Sequence, residues 1–227
     1  MRIEQNLSLT YQQINAAAGK ASRNKEEITL VAVTKKRTIE EIQTLIQLGV
    51  SHVGENRVQD LMEKYEILKD AHLTWHMIGH LQRNKVKYII DKVACIHSLA
   101  SYELALEIEK RAAKINRQME CLLEVNISGE VSKHGLTSQE VKPFIEKLKD
   151  LPHVKVVGLM TMAPFEEDPE ATRGVFSGLK ALAEGIKEEN YPHVEMRHLS
   201  MGMSNDFEVA VEEGATMVRI GSQLFED

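Results

Sequence analysis

The stretch Ile28-Thr29-Leu30-Val31-Ala32-Val33-Thr34-Lys35 decides the fold. It is short, apolar and rich in β-branched residues, and it ends on an amine. A segment of helical period follows, with Ile39, Ile42, Leu45 and Ile46 on one face. The same strand-then-helix unit recurs along the chain. Candidate strands are Ile28–Thr34, His52–Gly54, Thr74–Ile78, Val93–His97, Cys121–Ile127, Val154–Met160, Glu195–Leu199 and Thr216–Ile220. Between them, Leu104, Ala105, Ile108 and Ala112 share a helical face, as do Val141, Phe144, Ile145 and Leu148. Strands joined through helices pair in parallel, with right-handed crossovers. Eight such units predict an α/β fold, a single (β/α)8 TIM barrel. An open doubly wound sheet satisfies the same pattern, because periodicity does not report closure.

Local signals place the helix ends. Thr38 with Glu41 and Thr137 with Glu140 fit the Ser/Thr-x-x-Glu capping box. Asp168-Pro169 fits an N-cap followed by Pro in the first turn. Gly49 and Gly214 stand where a left-handed residue ends a helix. Pro143 disagrees with a helix begun at Thr137, since it removes one backbone hydrogen bond. Residues 1–25 have helical period through Leu7, Tyr11, Ile14 and Ala18. They predict an extra N-terminal helix covering one end of the barrel. No linker, low-complexity tract or internal repeat divides the sequence, so one domain is expected over 1–227, with the barrel at 28–225.

Composition narrows the partners. Of 227 residues, 43% are hydrophobic and 27% charged, with a net charge of −6, so no global basic field draws nucleic acid or an anionic membrane. Cys95 and Cys121 lie in apolar runs and read as reduced, buried small hydrophobes. The N-terminus lacks an apolar signal core, and no apolar run approaches the roughly 20 residues that span a bilayer. A cytoplasmic address and a monomer are expected.

In a barrel, chemistry collects at the C-terminal ends of the strands. There the first strand delivers Lys35, either a solvated lysine beside Lys36 and Arg37 or an amine able to attack a carbonyl. Ser200, Gly202 and Ser204 follow the seventh strand, and Gly221 and Ser222 the eighth. Small residues there suit phosphate on free backbone N–H groups, or form ordinary turns. Arg219 sits in an apolar run and needs a partner: a phosphate, a carboxylate, a ring nitrogen, or plainly an ion pair with Glu55 or another barrel carboxylate. The spacings of His76, His80, His97, His134 and His198 match no metal motif, and most read as structural or loop residues; His80, at a strand end, is the best functional candidate among them. The methionines of Gly158–Met162, with Met201 and Met203, read as core filler or a ligand border.

Seven motifs in order resemble those of the YggS/PROSC-type pyridoxal phosphate homeostasis proteins. They are Ala32-Val33-Thr34-Lys35, Gly54-Glu55-Asn56, His76-Met77-Ile78-Gly79 with Leu81-Gln82-Arg83-Asn84-Lys85, Asn126-Ile127-Ser128 with Ser132-Lys133-His134-Gly135, Gly158-Leu159-Met160-Thr161-Met162, Leu199-Ser200-Met201-Gly202-Met203-Ser204-Asn205-Asp206, and Val218-Arg219-Ile220-Gly221. The resemblance runs over about residues 28–225. It implies a barrel like the N-terminal domain of alanine racemase, carrying pyridoxal 5′-phosphate as a Schiff base on Lys35 rather than Lys36. It implies phosphate contacts from Ser200, Gly202, Ser204, Gly221 and Ser222, and it places Asn56 and Arg219 near the cofactor. The family often continues Leu-Phe-Gly where this chain has Leu224-Phe225-Glu226.

The resemblance implies intracellular buffering and delivery of pyridoxal phosphate with little or no catalysis, apo pyridoxal-phosphate enzymes being the recipients. Alanine racemase dimerises, and completes its two-base site, through a β-domain that does not follow the barrel here. A low-activity amino-acid racemase is the second expectation, with Lys35 and His80 as bases. A barrel enzyme acting on a sugar phosphate is the third, since fold alone does not choose among them.

Overall fold

The computed structural model describes residues 2–130 and 134–226. In chain order the elements are α1 (Arg2–Lys20), β1 (Thr29–Val33), α2 (Ile39–Gln47), β2 (His52–Glu55), α3 (Val58–Leu68), β3 (Thr74–Met77), α4 (Val86–Ile89), β4 (Cys95–Leu99), α5 (Tyr102–Lys114), β5 (Met119–Glu124), α6 (Ser138–Leu148), β6 (Val154–Met160), α7 (Arg173–Glu188), β7 (Val194–Ser200), α8 (Phe207–Glu212), β8 (Met217–Ile220) and α9 (Ser222–Phe225). The eight strands pair in parallel in sequence order, and β8 returns to β1 with Thr29 opposite Met217 and Ala32 opposite Ile220. The sheet is a closed barrel, which excludes the open alternative.

Alternation sorts the strand residues into two cores. Leu30, Ala32, Val218 and Ile220 join the large cluster between sheet and helices, while Val31, Cys95, Leu122, Val157, Met160 and Met217 form a small separate cluster. That small set fills part of the barrel interior. Other inward places are polar, among them His76, His97, Ser200 and Arg219, all buried. Cys95 and Cys121 are buried and unpaired.

The expected helix signals operate. Thr38 N–H donates to Glu41 Oε2 at 2.8 Å and Glu41 N–H to Thr38 Oγ1 at 3.3 Å, closing the capping box of α2. Gly49 and Gly214 hold φ of +89° and +110°. Pro143 does lie inside α6, which nevertheless buries Val141, Phe144, Ile145 and Leu148. Packing of that face outweighs one missing backbone bond.

Two strands, β4 and β5, shift by two residues or more from the sequence expectation, and most of the others by one residue at an end. β4 starts and ends two residues later. β5 ends at Glu124 because the chain beyond it bonds to its own loop: Asn126 N–H donates to Leu136 O and Leu136 N–H to Glu124 O, both at 2.8 Å. The N-terminal helix also lies differently. Asn6 Nδ2 donates to Glu226 O near α9, Gln13 to Glu208 on α8, and Arg23, just past α1, to Val211 O at the far end of α8. α1 therefore runs down the outer wall beside α8 instead of covering an end. It completes the helix layer where α8 has only six residues.

Phe176 of α7 is fully buried between helix and sheet. Phe176→Ala should lower unfolding stability by about 3–5 kcal/mol, read from the urea midpoint at constant m-value.

Candidate functional site at the barrel mouth

The mouth is built from the strand ends. β1 delivers Thr34 and then a tight turn, closed by Arg37 N–H donating to Thr34 O at 3.0 Å, with Lys36 in the left-handed region at φ +61°. A non-glycine residue in that region is unusual and fixes the path of the turn. Lys35 emerges from it exposed to solvent. Below, Thr34 Oγ1 donates to Glu55 Oε1 at 2.6 Å, and Lys64 of α3 donates to both Glu55 Oε1 and Thr34 O at 2.6 Å. Glu55 is fully buried, so this ion pair anchors the ends of β1 and β2 to α3. On the other side Arg37 bonds Glu226 Oε1 at 2.8 Å and lies over the Phe225 ring at 4.7 Å. The residue that departs from Leu-Phe-Gly thus fastens the β1 turn to α9. Asp227, beyond it, lies outside the described residues.

The β8 loop lies across the β1–β8 seam from the end of β1, and the β7 loop lies beside it. Gly202 holds φ +91°, and a Cβ there would meet Ala210 Cβ at 2.6 Å and Phe207 Cα at 2.9 Å. Only glycine lets this loop turn so close to α8. Ser204 Oγ accepts from Gly221 N–H at 3.2 Å and Gln223 N–H at 3.3 Å, so its own proton is left to donate. Gly221 packs against Val33 of β1, where an added Cβ would rest at 3.4 Å. Ser204, Asn205, Ser222 and Gln223 line a pocket of about 420 Å³, with the exposed ring of Phe165 on its border. Asn56 stands at the end of β2, and its Oδ1 is buried without a hydrogen-bond partner, as are Glu55 Oε2 and Ser98 Oγ.

Arg219 is buried at 4% exposure on β8. Its Nη1 donates to Ser200 Oγ at 2.6 Å and its Nη2 to Thr161 O at 3.0 Å. The ion pair with Glu55, one of the alternatives the sequence leaves open, does not form, because Glu55 pairs with Lys64. Burial draws the guanidinium pKa down to about 10, with Asp206 and Glu124 acting against that fall, so Arg219 is still charged at neutral pH. Ser200 points into the barrel toward Arg219, while Ser204 and Ser222 face the pocket. The expected residues therefore split into a loop group (Gly202, Ser204, Gly221, Ser222) and a buried group (Ser200, Arg219), with Lys35 and Asn56 at the neighbouring strand ends.

His80 lies elsewhere on the mouth, in a pocket of about 860 Å³ with Arg83, Asn84, Ser98, Glu124 and His134. Its ring stacks on His134 at 5.3 Å. Burial raises the Glu124 pKa, against the pull of His134, His80 and Arg219. Ser132 and Lys133 of the adjoining motif lie outside the described residues. His97, read from sequence as a structural or loop residue, bonds Ser200 Oγ through Nδ1 at 2.9 Å, with His76 and His52 in line behind it. Spacing within one strand cannot show this; the signal was inward-facing histidines on consecutive strands.

A closed barrel with an amine after β1, a buried arginine on β8 and small-residue loops after β7 and β8 is an alanine-racemase-type barrel domain. The family model described as alanine racemase, N-terminal domain, matches residues 7–227. A pyridoxal phosphate homeostasis protein of Aquifex aeolicus is 47% identical over 219 residues, covering 96% of this chain and 95% of that protein. The chain belongs to the pyridoxal phosphate homeostasis protein family. Among solved structures, an unknown protein from Bifidobacterium adolescentis matches with a TM-score of 0.93 at 34% identity, over 99% of this chain and 94% of that one. PipY of Synechococcus elongatus, solved with PLP bound, matches with a TM-score of 0.85 at 31% identity, over 99% of this chain and 100% of that one.

Two stability predictions follow from the groups beneath the mouth. Lys64→Met leaves the Glu55 carboxylate buried and unpaired, so stability should fall by about 3–5 kcal/mol; adding Glu55→Gln should restore more than half of the loss in a urea double-mutant cycle. Burial pushes the His76 pKa down to about 3 and holds His97 well below its ordinary value. Both rings stay neutral in the fold, while the unfolded chain takes up protons near pH 6.5. Their stability contribution is complete above that pH and is lost as pH falls toward about 3. Urea midpoints between pH 8 and 4.5 should decline less steeply in His76→Gln than in the parent.

Proposed function

We propose that this chain binds pyridoxal 5′-phosphate as a Schiff base on Lys35, and that it buffers and delivers the cofactor with little or no catalysis of its own. The observation that carries the proposal is convergence: the β1–β8 pairing sets the Lys35 turn beside the Gly221 loop, with Ser204 and Arg219 on the same side of the mouth. The chemistry present fits the group. Ser204 has a hydroxyl proton to give, Ser222 lines the same pocket, and Asn56 carries an unpartnered buried acceptor. When bound, the cofactor supplies an aldehyde that condenses with a neutral primary amine and releases water.

Each residue then has a separable task. The turn at Lys36 aims Lys35. Gly202 lets the β7 loop lie close against α8 and Gly221 lets the β8 loop lie against β1, and Ser204 and Ser222 hold phosphate oxygens there. Asn56 accepts from a polar group on the ligand. Arg219 keeps a fixed positive charge beneath the mouth, held by Ser200 and Thr161. The homeostasis role rests on the family, whose relatives carry that name over nearly their full length.

The purified protein incubated with pyridoxal phosphate should show a visible Schiff-base band that borohydride abolishes, with the pyridoxyl mass on the Lys35 peptide. Lys35→Ala should lack both the band and the label while keeping its fold by circular dichroism. Label on another lysine, or none on the parent, defeats the proposal. Racemisation of amino acids at a rate matching dedicated racemases would replace the carrier role with the enzymatic one.

A further inference from the structure

Three histidines cross the barrel interior in single file. His52 Nδ1 lies 2.9 Å from His76 Nε2, His76 Nδ1 lies 2.9 Å from His97 Nε2, and His97 Nδ1 lies 2.9 Å from Ser200 Oγ. Ser200 Oγ also accepts from Arg219 Nη1 at 2.6 Å. His52 opens β2 at the end of the barrel away from the mouth and is partly exposed, whereas Ser200 closes β7 at the mouth end and is fully buried. The file joins solvent at one end of the barrel to the guanidinium at the other.

Hydrogen-bond arithmetic links the rings. A neutral imidazole has one N–H and one lone pair, and each contact needs one of each. The tautomer of one ring therefore dictates the next. Either all three rings carry the proton on Nε2 and Ser200 donates to His97, or all three carry it on Nδ1 and Ser200 accepts from both His97 and Arg219. An imidazolium at His52 must donate from Nδ1, and only the second arrangement admits it.

We propose that His52, His76 and His97 form a tautomer-locked relay that couples protonation of His52, at the far end of the barrel, to the hydroxyl direction of Ser200 and hence to the setting of Arg219. The proton count balances. With all three rings protonated on Nδ1, the Nε2 lone pair of the half-buried His52 takes one proton from water. The charged ring can then only donate from Nδ1 to His76 Nε2, which holds the His76 Nδ1–H toward His97 and the His97 Nδ1–H toward Ser200. His52 carries the added charge, and His76 and His97 remain neutral.

The surroundings suit such a relay. Burial keeps His76 and His97 from holding charge themselves, while His52, half-buried, is lowered less completely. The other titratable and charged groups facing the file are His198 and Arg197 on β7, Glu120 on β5, Cys95 on β4 and Arg219 on β8. His76, His97 and Cys95 also offer donor atoms within 4.8 Å of one another, the spacing of a small metal site. The rings instead face each other nitrogen to nitrogen at 2.9 Å, which uses the lone pair a metal would need. The relay rests on the proposed function only in taking Arg219 as a cofactor-side residue; ring tautomers are read without cofactor.

The test uses the full chain with 15N-labelled histidine, followed by NMR from pH 8 to 5.5. His76 and His97 should show the same tautomer, and the His97 signals should shift with the midpoint of His52. His52→Gln keeps a donor and an acceptor but cannot titrate; in it the pH-dependent His97 shift should vanish while the fold and the pyridoxal phosphate Kd at pH 8 stay within about twofold. In the cofactor-loaded protein, an inflection of the visible band at the His52 midpoint should also disappear in that variant. Opposite tautomers on His76 and His97, His97 signals indifferent to His52, or stoichiometric zinc bound to the purified protein would each overturn the relay. A relay observed in a protein that never binds the cofactor would leave it standing and remove only the proposed function.

Discussion

Closure of the sheet between β1 and β8 is the constraint on which the mouth depends. Those strands are neighbours in space and nearly two hundred residues apart in sequence. Their pairing over Thr29–Ala32 and Met217–Ile220 sets one height for the Lys35 turn and the Gly221 loop. An open sheet with the same strands would put the amine and the loops on opposite edges. Long-range ties reinforce the seam from outside: Arg37 with Glu226, and Asn6 with the carbonyl of Glu226. α1 belongs to the same closure, since it fills the helix layer beside the short α8. The N-terminal helix, the seam and the site form one mechanical unit.

The second constraint is the polar interior. A small barrel could fill its inside with branched aliphatic side chains alone. Here six apolar residues share it with three histidines, a serine and an arginine. Burying such groups is unfavourable unless each finds a partner, and a half-satisfied network is worse than an apolar core. The file meets that demand because every interior polar contact joins one donor to one acceptor. Arg219 is the fixed point: it can only donate, so Ser200 must accept from it. Whatever Arg219 touches above, its position is set from below by Thr161 and Ser200.

How much of this was legible in the sequence depends on the distance over which each signal acts. Strand and helix alternation is local, so all eight strands were readable, with boundary shifts where tertiary bonding intervened, as in the Asn126–Leu136 loop. Lys35 and the small residues after β7 and β8 were readable because barrel geometry assigns strand ends to the mouth. Side-chain pairing was not. Glu55 looked available to Arg219 because nothing local showed that Lys64, in the second turn of α3, already held it. His52 passed unnoticed because its meaning comes from His76 on the next strand, and that from His97 on the one after. Register between strands carries this information, and no window within one strand contains it.

The two flanks of the mouth differ in a way that bears on the proposed role. On the β1, β7 and β8 side, the Gly221 and Gln223 N–H groups, the left-handed Gly202 and the buried Glu55–Lys64 pair hold the loops and strand ends in place. On the β3 to β5 side, the larger pocket of about 860 Å³ is bordered by side chains, with Ser98 Oγ unpartnered and the Glu124 carboxylate partly desolvated. A ligand seated on the rigid flank would be oriented by atoms that do not need to move, so little ordering entropy opposes binding. Lys35 itself is exposed, not enclosed. Water and small amines can reach an exposed amine, and a covalent link formed there remains open to exchange. Under the proposed role, a rigid seat with an accessible tether would combine retention with release, which a cofactor carrier requires and a sequestered catalytic site does not.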